Sequence, residues 1–364
     1  MRILHLEASP GWGGQEIRIL REAEGMRTRG HEVFIVVMKG GQLAKEACKA
    51  GFTVKEVDFH KKSWPFTLFQ LVHLMHHYQI DLVNTHSSLD SWIGGIAARM
   101  AKRAIVRTRH LSTPIKKGWN SRLLYGQLSD FVVTTCAGIV PMICTQSGKK
   151  KSECRSIATG VDVNQVVASK SSAENFRSNL GILPGDFLIG TACFMRSWKG
   201  IDDFLKAADL LRHIREIKWV IIGGGHAERY IQRAKELKLE EIVYFSGHLE
   251  NPFPALAALD VFALLSTAHE GVSQAILQAA YLEKPLIATS VGGLGEVCLD
   301  RITGLQVAPF SPHEVAQAVL ELKENEALRK EAGVKGRQLV ENRFTLQSTI
   351  DEMEKVYFNL LEGV

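Results

Sequence analysis

Several features are missing from the 364-residue sequence, and each absence excludes a class of protein. No apolar run approaches the roughly 18 residues that a transmembrane helix needs. The six cysteines are scattered without a CxxC pair or the spacing of metal ligands, which argues against a disulfide-rich or zinc-binding fold. No Asp-x-Asp motif is present, so a metal ion held by paired aspartates is not indicated. The first residues enter a strand-like run and lack a signal-peptide pattern, so we expect a cytoplasmic protein.

Acidic residues are also missing from one long stretch, between Asp90 and Asp130. Residues 1–180 contain 25 Lys and Arg against 14 Asp and Glu, whereas the remainder contains 19 against 25. A basic stretch creates a positive field that favours an anionic acceptor or a lipid headgroup, and a solvated basic face is the alternative. Nucleic acid is not favoured, because no aromatic stacking pattern is interleaved with the cations. The stretch contains Arg99, Lys102, Arg103, Arg107, Arg109, Lys116, Lys117 and Arg122, of which we assign Arg107, Arg109, Lys116 and Lys117 to an anionic acceptor.

Strand-like and helix-like segments alternate along the chain. Residues 1–40 show a strand, a loop containing Gly13 and Gly14, a helix and a second strand. This alternation predicts parallel sheets with right-handed crossovers. The length is about twice that of a typical domain, so we predict two α/β domains. The boundary is predicted after residue 168, where a polar stretch begins.

The segment from residue 257 to residue 310 carries the most specific pattern. A buried strand at 260–265 leads into a polar loop, and Ser273 is predicted to cap the helix that follows with its hydroxyl. Unpaired N–H groups and the helix dipole favour an anion such as a diphosphate at this helix N-terminus. A Lys-Pro strand at 284–290 and the glycine loop at 291–296 come next.

This segment resembles the C-terminal domain of retaining glycosyltransferases of family 4, which have the GT-B fold. The family pattern is Glu-Gly, a second Glu after seven intervening residues, a Lys-Pro strand and a Gly-Gly loop. Glu270 and Gly271 match the first part, whereas Gln278 stands at the second Glu position. The resemblance implies two Rossmann-like domains facing each other across a cleft. It places the acceptor domain at 1–168, the nucleotide-sugar domain at 169–346, and a last helix, about 347–364, that crosses back to the first domain.

The resemblance also assigns roles to individual residues. Arg196 and Lys199 are expected to neutralise the donor diphosphate, which suits two cations in a loop after a strand because leaving-group charge must be stabilised. Glu270 and His110 are expected to contact the donor sugar. The remaining nucleotide-sugar contacts are expected from Gly13, Gly14, Leu249, Gly271, Val272, Ser273 and Gln278, with Gln278 accepting from the ribose hydroxyls.

The implied reaction is transfer of a hexosyl group from a nucleotide sugar, with UDP as the expected carrier, to an acceptor hydroxyl with retention. It needs no metal and no cofactor, since Arg196 and Lys199 supply the positive charge. The expected setting is envelope glycan, lipopolysaccharide or glycolipid synthesis, with peripheral contact of the N-terminal domain with an anionic membrane. A predicted helix at 64–77 is favoured as a core helix over a membrane-surface helix. Two alternatives stay open: a nucleotide-sugar epimerase of the same architecture, and a non-catalytic sugar-nucleotide or glycan-binding protein.

Overall fold

The computed structural model describes residues 1–110 and 112–363 and divides the chain into two compact units. The first unit comprises residues 1–159 with 347–363, and the second comprises residues 160–346. The division falls after Thr159, whereas the sequence analysis placed the boundary after residue 168. Segment 160–168 belongs to the second unit, where the Val161 amide donates to the Phe344 carbonyl and the Val161 carbonyl accepts from the Leu346 amide.

The first unit is built on a seven-stranded parallel sheet in the order β3-β2-β1-β4-β5-β6-β7. The seven strands are largely buried at the centre of the sheet, as expected for a parallel sheet covered on both faces, and more exposed at its edges. They are β1 (Arg2–Glu7), β2 (Glu32–Met38), β3 (Thr53–Val57), β4 (Leu82–Thr85), β5 (Ala104–Arg109), β6 (Phe131–Thr134) and β7 (Cys154–Ser156).

Six helices accompany these strands, and the last helix of the chain joins them. They are α1 (Gly14–Thr28), α2 (Gln42–Lys49), α3 (Trp64–His77), α4 (Ser88–Met100), the single turn α5 (Trp119–Ser121) with a π-helical continuation to Gln127, and α6 (Val140–Ser147). Helix α3 has the bounds predicted from the sequence. The C-terminal helix α14 (Leu346–Glu362) returns to the first unit as expected, where Arg29 pairs with Asp351 and Glu354.

The second unit has a six-stranded parallel sheet in the order β10-β9-β8-β11-β12-β13. Its strands are β8 (Phe187–Ala192), β9 (Ile217–Ile222), β10 (Val243–Gly247), β11 (Val261–Leu264), β12 (Leu286–Thr289) and β13 (Gly304–Val307). The helices are α7 (Lys170–Asn179), α8 (Ile201–Leu210), α9 (Ala227–Glu236), α10 (Phe253–Ala257), α11 (Gln274–Tyr281), α12 (Pro312–Glu324) and α13 (Glu326–Arg343).

Both units thus have the predicted Rossmann-like organisation, in which loops at the carboxyl ends of the strands form ligand sites. The core of the second unit includes the buried Trp219, whose ring meets Phe204 edge-on at a centroid distance of 4.9 Å. All six cysteines are free thiols. Within the described residues, no helix combines the length and the apolarity needed to cross a bilayer.

Candidate functional site

The loop between β11 and α11 contains a buried carboxylate. Glu270 is 5% exposed, and its Oε1 accepts a hydrogen bond of 2.7 Å from the buried Ser266 hydroxyl. The same oxygen is paired with the Lys199 ammonium, so the charge of the carboxylate is balanced inside the unit. Buried carboxylates are costly unless paired and hydrogen bonded in this way. The arrangement fixes the orientation of Glu270 through two side-chain partners.

The glycine loop after β12 packs directly against the backbone of the loop that carries Glu270. Gly292 has φ +61°, and a Cβ atom at this position would lie 1.8 Å from the Glu270 carbonyl oxygen. A Cβ on Gly293 would lie 2.6 Å from the Val272 amide nitrogen, and the Gly293 amide donates to the Glu270 carbonyl over 3.3 Å. Glycine is required here by close approach of two backbones. The Gly-Gly pair that the sequence analysis noted therefore shapes the loop that carries Glu270.

The loop after β8 holds Lys199 beside Glu270. Gly200 has φ +70°, and a Cβ there would meet the Leu265 carbonyl oxygen at 2.0 Å, which brings this loop against the end of β11. The Thr267 amide donates to the Trp198 carbonyl over 2.8 Å, so the two loops are hydrogen bonded to each other. The resemblance assigned Lys199 to the donor diphosphate and Glu270 to the donor sugar, but the ion pair between these residues, which are 71 positions apart, was not predicted.

Arg196 lies in the same loop with an exposed guanidinium. Its Cζ lies 5.1 Å from the Phe194 ring centroid and 5.2 Å from the Trp198 ring centroid. The Trp198 ring in turn meets His269 edge-on at 5.5 Å. Among the described residues Arg196 forms no ion pair, and the aromatic rings hold the cation by cation–π attraction. Arg196 is thus available to an anion from solvent, whereas Lys199 already has a carboxylate partner.

The N-terminus of α11 is not capped as predicted. Ser273 occupies the N-cap position with extended backbone, but its hydroxyl makes no capping hydrogen bond. The first-turn amides of this eight-residue helix therefore donate no hydrogen bond to the Ser273 side chain, and they can bind an anion. Gly271 precedes the buried Val272 in the connecting loop. Gln278 is partly buried on α11, and its side chain makes no hydrogen bond within the described part of the chain.

Backbone hydrogen bonds also link the loops after β8, β9 and β10. The Met195 amide donates to the Gly224 carbonyl over 2.8 Å, and the Gly223 amide donates to the Gly247 carbonyl over 2.9 Å. Leu249 lies just beyond β10 and is partly buried. Burial raises the pKa of Cys193 to about 11, so this neighbouring thiol stays protonated and does not act as a nucleophile. The second unit therefore gathers Arg196, Lys199 and Glu270 at the loop edge of its sheet.

In the first unit, the predicted glycine loop leads into α1. Gly13 is the N-cap residue and Gly14 is the first helical residue, and no side chain caps this terminus. Apart from its chain neighbours and the backbone of its own helix, no described residue has a heavy atom within 4 Å of a Cβ built on Gly14, so the loop is open on that side. Glu7 binds the loop from the end of β1: one oxygen accepts from the Ser9 amide over 2.6 Å and the other from the Gln15 side chain.

Asp90 holds the same region from the start of α4. Its carboxylate accepts from the amides of Ala8 and Ser87, and Ser87 and Asp90 form a capping box. Burial raises the pKa of Glu7 to about 8, and the nearby Asp90 adds to the rise. Burial also raises the pKa of Asp90 to about 6, against the lowering effect of its hydrogen bonds to Ser87 and of Arg107. Two carboxyl groups with raised pKa values thus flank the glycine loop.

His110 is one end of a row of three histidines on adjacent strands. His5 Nδ1 lies 2.9 Å from His86 Nε2, and His86 Nδ1 lies 3.0 Å from His110 Nε2. His5 and His86 are buried and His110 is partly buried. Burial is the main cause that lowers the pKa of all three imidazoles, so they are neutral at neutral pH.

Sequence analysis identified His110 but missed His5. The only indication was a histidine between the apolar residues Leu4 and Leu6, on the same strand face as Glu7. The first unit also contains a buried layer of polar side chains, in which the Asn84 side-chain amide donates to Tyr357 Oη over 2.8 Å and Tyr357 Oη donates to Glu22 Oε1 over 2.5 Å. This polar layer lies between β4, α1 and α14.

The basic stretch does not form one exposed face. Arg107 is 5% exposed, with its guanidinium 4.4 Å from the Tyr125 ring centroid, and its Nε and Nη1 have no hydrogen-bond partner. Arg109 is partly buried and donates to Tyr125 Oη and to Thr113. Lys116 and Lys117 are exposed, next to Trp119, which is 71% exposed. The two arginines therefore pack against Tyr125, Arg107 fully and Arg109 partly buried, whereas the two lysines are exposed to solvent.

Within residues 1–110 and 112–363, no three His, Cys, Asp or Glu side chains are arranged so that together they could hold a metal ion. The predicted site residues are divided between the two units. Gly13, Gly14 and His110 belong to the first unit, while Leu249 and the residues around Glu270 belong to the second.

Comparison with known proteins agrees with this organisation. Residues 12–165 match the family model "Glycosyltransferase Family 4", and residues 186–325 match "Glycosyl transferases group 1". CapM of Staphylococcus aureus, a capsular polysaccharide biosynthesis glycosyltransferase, is 25% identical over 81% of this chain and 81% of its own length. An uncharacterized glycosyltransferase of Methanocaldococcus jannaschii is 24% identical over 83% and 80%.

Solved structures show the same fold. A glycosyltransferase from Rickettsia africae has a TM-score of 0.89 at 20% identity, covering 100% of this chain and 99% of its own. The HepE protein of Anabaena, solved with UDP, has a TM-score of 0.87 at 20% identity, covering 99% and 100%. The two family models together span most of the sequence. The chain therefore belongs to the glycosyltransferases that combine a family 4 domain with a group 1 domain on the GT-B fold.

Proposed function

We propose that this glycosyltransferase transfers a hexosyl group from a UDP-sugar to an acceptor hydroxyl with retention of anomeric configuration. The observation that carries the proposal is the buried Glu270 carboxylate, paired with Lys199 beside the uncapped N-terminus of α11. A nucleotide sugar offers a diphosphate for the helix terminus and Lys199, and sugar hydroxyls for Glu270. Crystal structures of Anabaena HepE contain UDP and UDP-glucose, which supports UDP as the carrier here.

The proposed roles follow from charge and exposure. The acceptor oxygen attacks the anomeric carbon while the bond from that carbon to the diphosphate oxygen breaks. The acceptor proton passes to the leaving diphosphate, so no protein base is needed. Arg196 and Lys199 offset the negative charge that develops on the leaving group. These two cations replace a metal ion in this proposal, and activity should persist in EDTA.

The remaining assignments are part of the same proposal. Gln278 binds the ribose, Leu249 lies against the base, and His110 hydrogen bonds to the donor sugar. Gly271, Val272 and Ser273 offer the loop and helix amides, and Gly13 and Gly14 bind the substrate through open backbone. The second unit is thus assigned to most of the donor, and the first unit, apart from His110, to the acceptor.

We infer that the acceptor is an anionic glycan or glycolipid of the cell envelope. Relatives include capsule and O-antigen glycosyltransferases, which supports this class of acceptor. On the first unit, Lys116 and Lys117 adjoin the exposed Trp119, and α3 exposes Phe66 (70%) and Phe69 (80%). Exposed aromatic side chains beside lysines suit peripheral contact with an anionic membrane on the cytoplasmic side.

The function can be tested without knowing the acceptor, because water is a slow acceptor for many glycosyltransferases. UDP-, GDP- and ADP-sugars are incubated with the protein, and the first-formed anomer of the released sugar is followed by NMR. Selective release from a UDP-sugar with the donor's anomeric configuration supports the proposal. Inversion would contradict retention. Isomerisation of the intact nucleotide sugar would identify an epimerase, and binding without turnover, even with envelope glycan acceptors, would identify a binding protein.

Membrane contact is tested with vesicles of anionic and neutral lipid at low and high salt. Binding to anionic vesicles that weakens in Trp119→Ala and at high salt is expected. Leu183→Ala, which removes another exposed apolar side chain but in the second unit, is the matched control. Equal binding of the wild-type protein to both kinds of vesicle would rule out selective contact with an anionic membrane.

A further inference from the structure

The histidine row couples three tautomers. A neutral imidazole has one N–H donor and one acceptor nitrogen, so His86 must donate to one neighbour and accept from the other. If His86 carries its proton on Nδ1, it donates to His110 Nε2 and accepts from His5 Nδ1. The opposite choice puts the proton of every ring on Nε2. The row therefore has two arrangements only, with all protons on Nδ1 or all on Nε2.

The environment of His5, at the buried end of the row, distinguishes these two arrangements. His5 Nε2 is buried and has no hydrogen-bond partner among the residues that the structure describes. In the all-Nε2 arrangement this atom would be a buried N–H without an acceptor, which native structures avoid more strictly than an unpaired acceptor. The Glu22 carboxylate favours a positive charge on His5, but its Oε2 makes no hydrogen bond to that ring. Arg18 and Arg107 oppose a positive charge on His86 and His110.

We propose that His5 and His86 are positioning residues that hold His110 with its proton on Nδ1 and its Nε2 occupied. His110 then presents a neutral N–H donor, which suits an oxygen atom of a substrate and cannot repel Arg107. An isolated histidine prefers the Nε2–H tautomer, so without the row His110 would present an acceptor at Nδ1 instead. The tautomer follows from the hydrogen bonds alone, whereas its use on the donor sugar rests on the proposed function.

The tautomers can be observed directly in the full-length protein. Long-range proton–nitrogen correlations on protein labelled with ¹⁵N-histidine distinguish an N–H nitrogen from a bare one in each ring. His5, His86 and His110 are assigned by loss of signals in single His→Gln variants. We expect a protonated Nδ1 and a bare Nε2 in all three rings at pH 7.5. Protonated Nε2 in these rings, as a dominant effect of Glu22 would produce, would overturn the proposal.

Two substitutions at His86 test the coupling. His86→Phe removes both hydrogen bonds and should return His110 mainly to the Nε2–H form. His86→Gln offers an amide N–H to His110 and a carbonyl to His5, so it should retain the Nδ1–H form. His313→Phe, at an exposed histidine of the second unit, is the control and should leave the spectrum of His110 unchanged. If His110 kept its Nδ1 proton in folded His86→Phe, the row would not be what sets it.

Turnover provides a second and separate readout. His86→Phe should lower kcat about tenfold, as expected for loss of one neutral hydrogen bond in the transition state, with little change in KM for the donor. His86→Gln should recover most of that loss. An inactive wild-type protein would contradict the proposed function and leave the NMR result to decide the tautomer. Equal kcat in the Phe and Gln variants would contradict the use of this donor in catalysis.

Discussion

At the scale of single residues, the charge of Glu270 is the strongest test of the site. Glu270→Gln keeps the hydrogen bond from Ser266 but removes the negative charge that faces Lys199. We expect a loss of about 100-fold or more in kcat/KM, since hydrogen bonds to charged groups contribute about 1.5–3 kcal/mol each. Steady-state kinetics with a UDP-sugar measures this, and circular dichroism checks the fold. Glu240→Gln, at an exposed glutamate, should change neither. Full activity in Glu270→Gln would show that the negative charge of Glu270 is not needed for the reaction.

A second prediction at this scale concerns Glu7 and pH. Its folded pKa of about 8 lies above the ordinary value of 4.5, because the carboxyl is buried beside Asp90. Between these values the native state binds more protons than the unfolded state, so stability falls as pH rises through this range. We expect unfolding free energy to fall by about 1–3 kcal/mol from pH 5 to pH 8 on account of this group.

Glu7→Gln should flatten that part of the profile, because the amide does not titrate. Urea denaturation at a series of pH values measures the unfolding free energy. Hydrogen exchange at the same pH values shows whether the change lies in the first unit. Glu240→Gln is again the control and should retain the wild-type slope. A Glu7→Gln profile as steep as that of the wild type would mean that Glu7 is already ionised at pH 5.

At the scale of elements, the glycine loop after β12 is predicted to control the shape of the Glu270 loop. Gly292→Ala adds a Cβ that would lie 1.8 Å from the Glu270 carbonyl oxygen, at a backbone φ of +61°. Gly181→Ala imposes a similar strain at φ +70° but meets no atom within 4 Å. Both variants should lose about 1 kcal/mol from backbone strain. Only Gly292→Ala should also lose nucleotide binding, which isothermal titration with UDP measures. Equal binding by both variants would contradict the support role of this loop.

The attachment of α14 gives another prediction for an element. Tyr357→Phe removes the hydroxyl that donates to Glu22 and accepts from Asn84, and leaves a buried carboxylate short of a donor. We expect a loss of about 2 kcal/mol in the unfolding free energy of the first unit. Tyr244→Phe, which removes an exposed hydroxyl bonded to the Glu241 carbonyl, should cost less than about 0.5 kcal/mol. Denaturant unfolding compares the two, and similar losses would show that the buried network is not stabilising.

The sequence predicted elements and loops better than it predicted side-chain surroundings. The bounds of α3 and the parallel strands follow from local periodicity, which the sequence contains directly. The cap by Ser273 was wrong because a residue pattern fixes the N-cap position but not the rotamer of its hydroxyl. The burial of Arg107 was missed because it depends on Tyr125, which comes from a segment 18 residues away. The partners of His5 lie on two other strands, beyond any local pattern.

For the whole molecule, we expect ligand binding to stabilise one unit more than the other. If UDP binds the second unit, then UDP at about 100 times its Kd stabilises that unit by roughly 2.7 kcal/mol. Hydrogen exchange should slow mainly within residues 186–325, around the loops after β8 and β11. The same measurement with free phosphate should show no comparable protection. Protection confined to residues 1–159 would contradict the assignment of the donor to the second unit.

The return of α14 to the first unit has a consequence for synthesis on the ribosome. Residues 1–159 emerge early, yet Tyr357 and Glu354, which bind Glu22 and Arg29, are made only after the entire second unit. At about 5–20 residues per second, translation of that unit takes roughly 10–40 s. During this interval the nascent first unit lacks the helix that covers its buried charges. A chaperone that binds nascent chains would therefore have the longest time to bind this half of the protein. A premature stop codon within α14, before Tyr357, would mainly destabilise the half that was translated first.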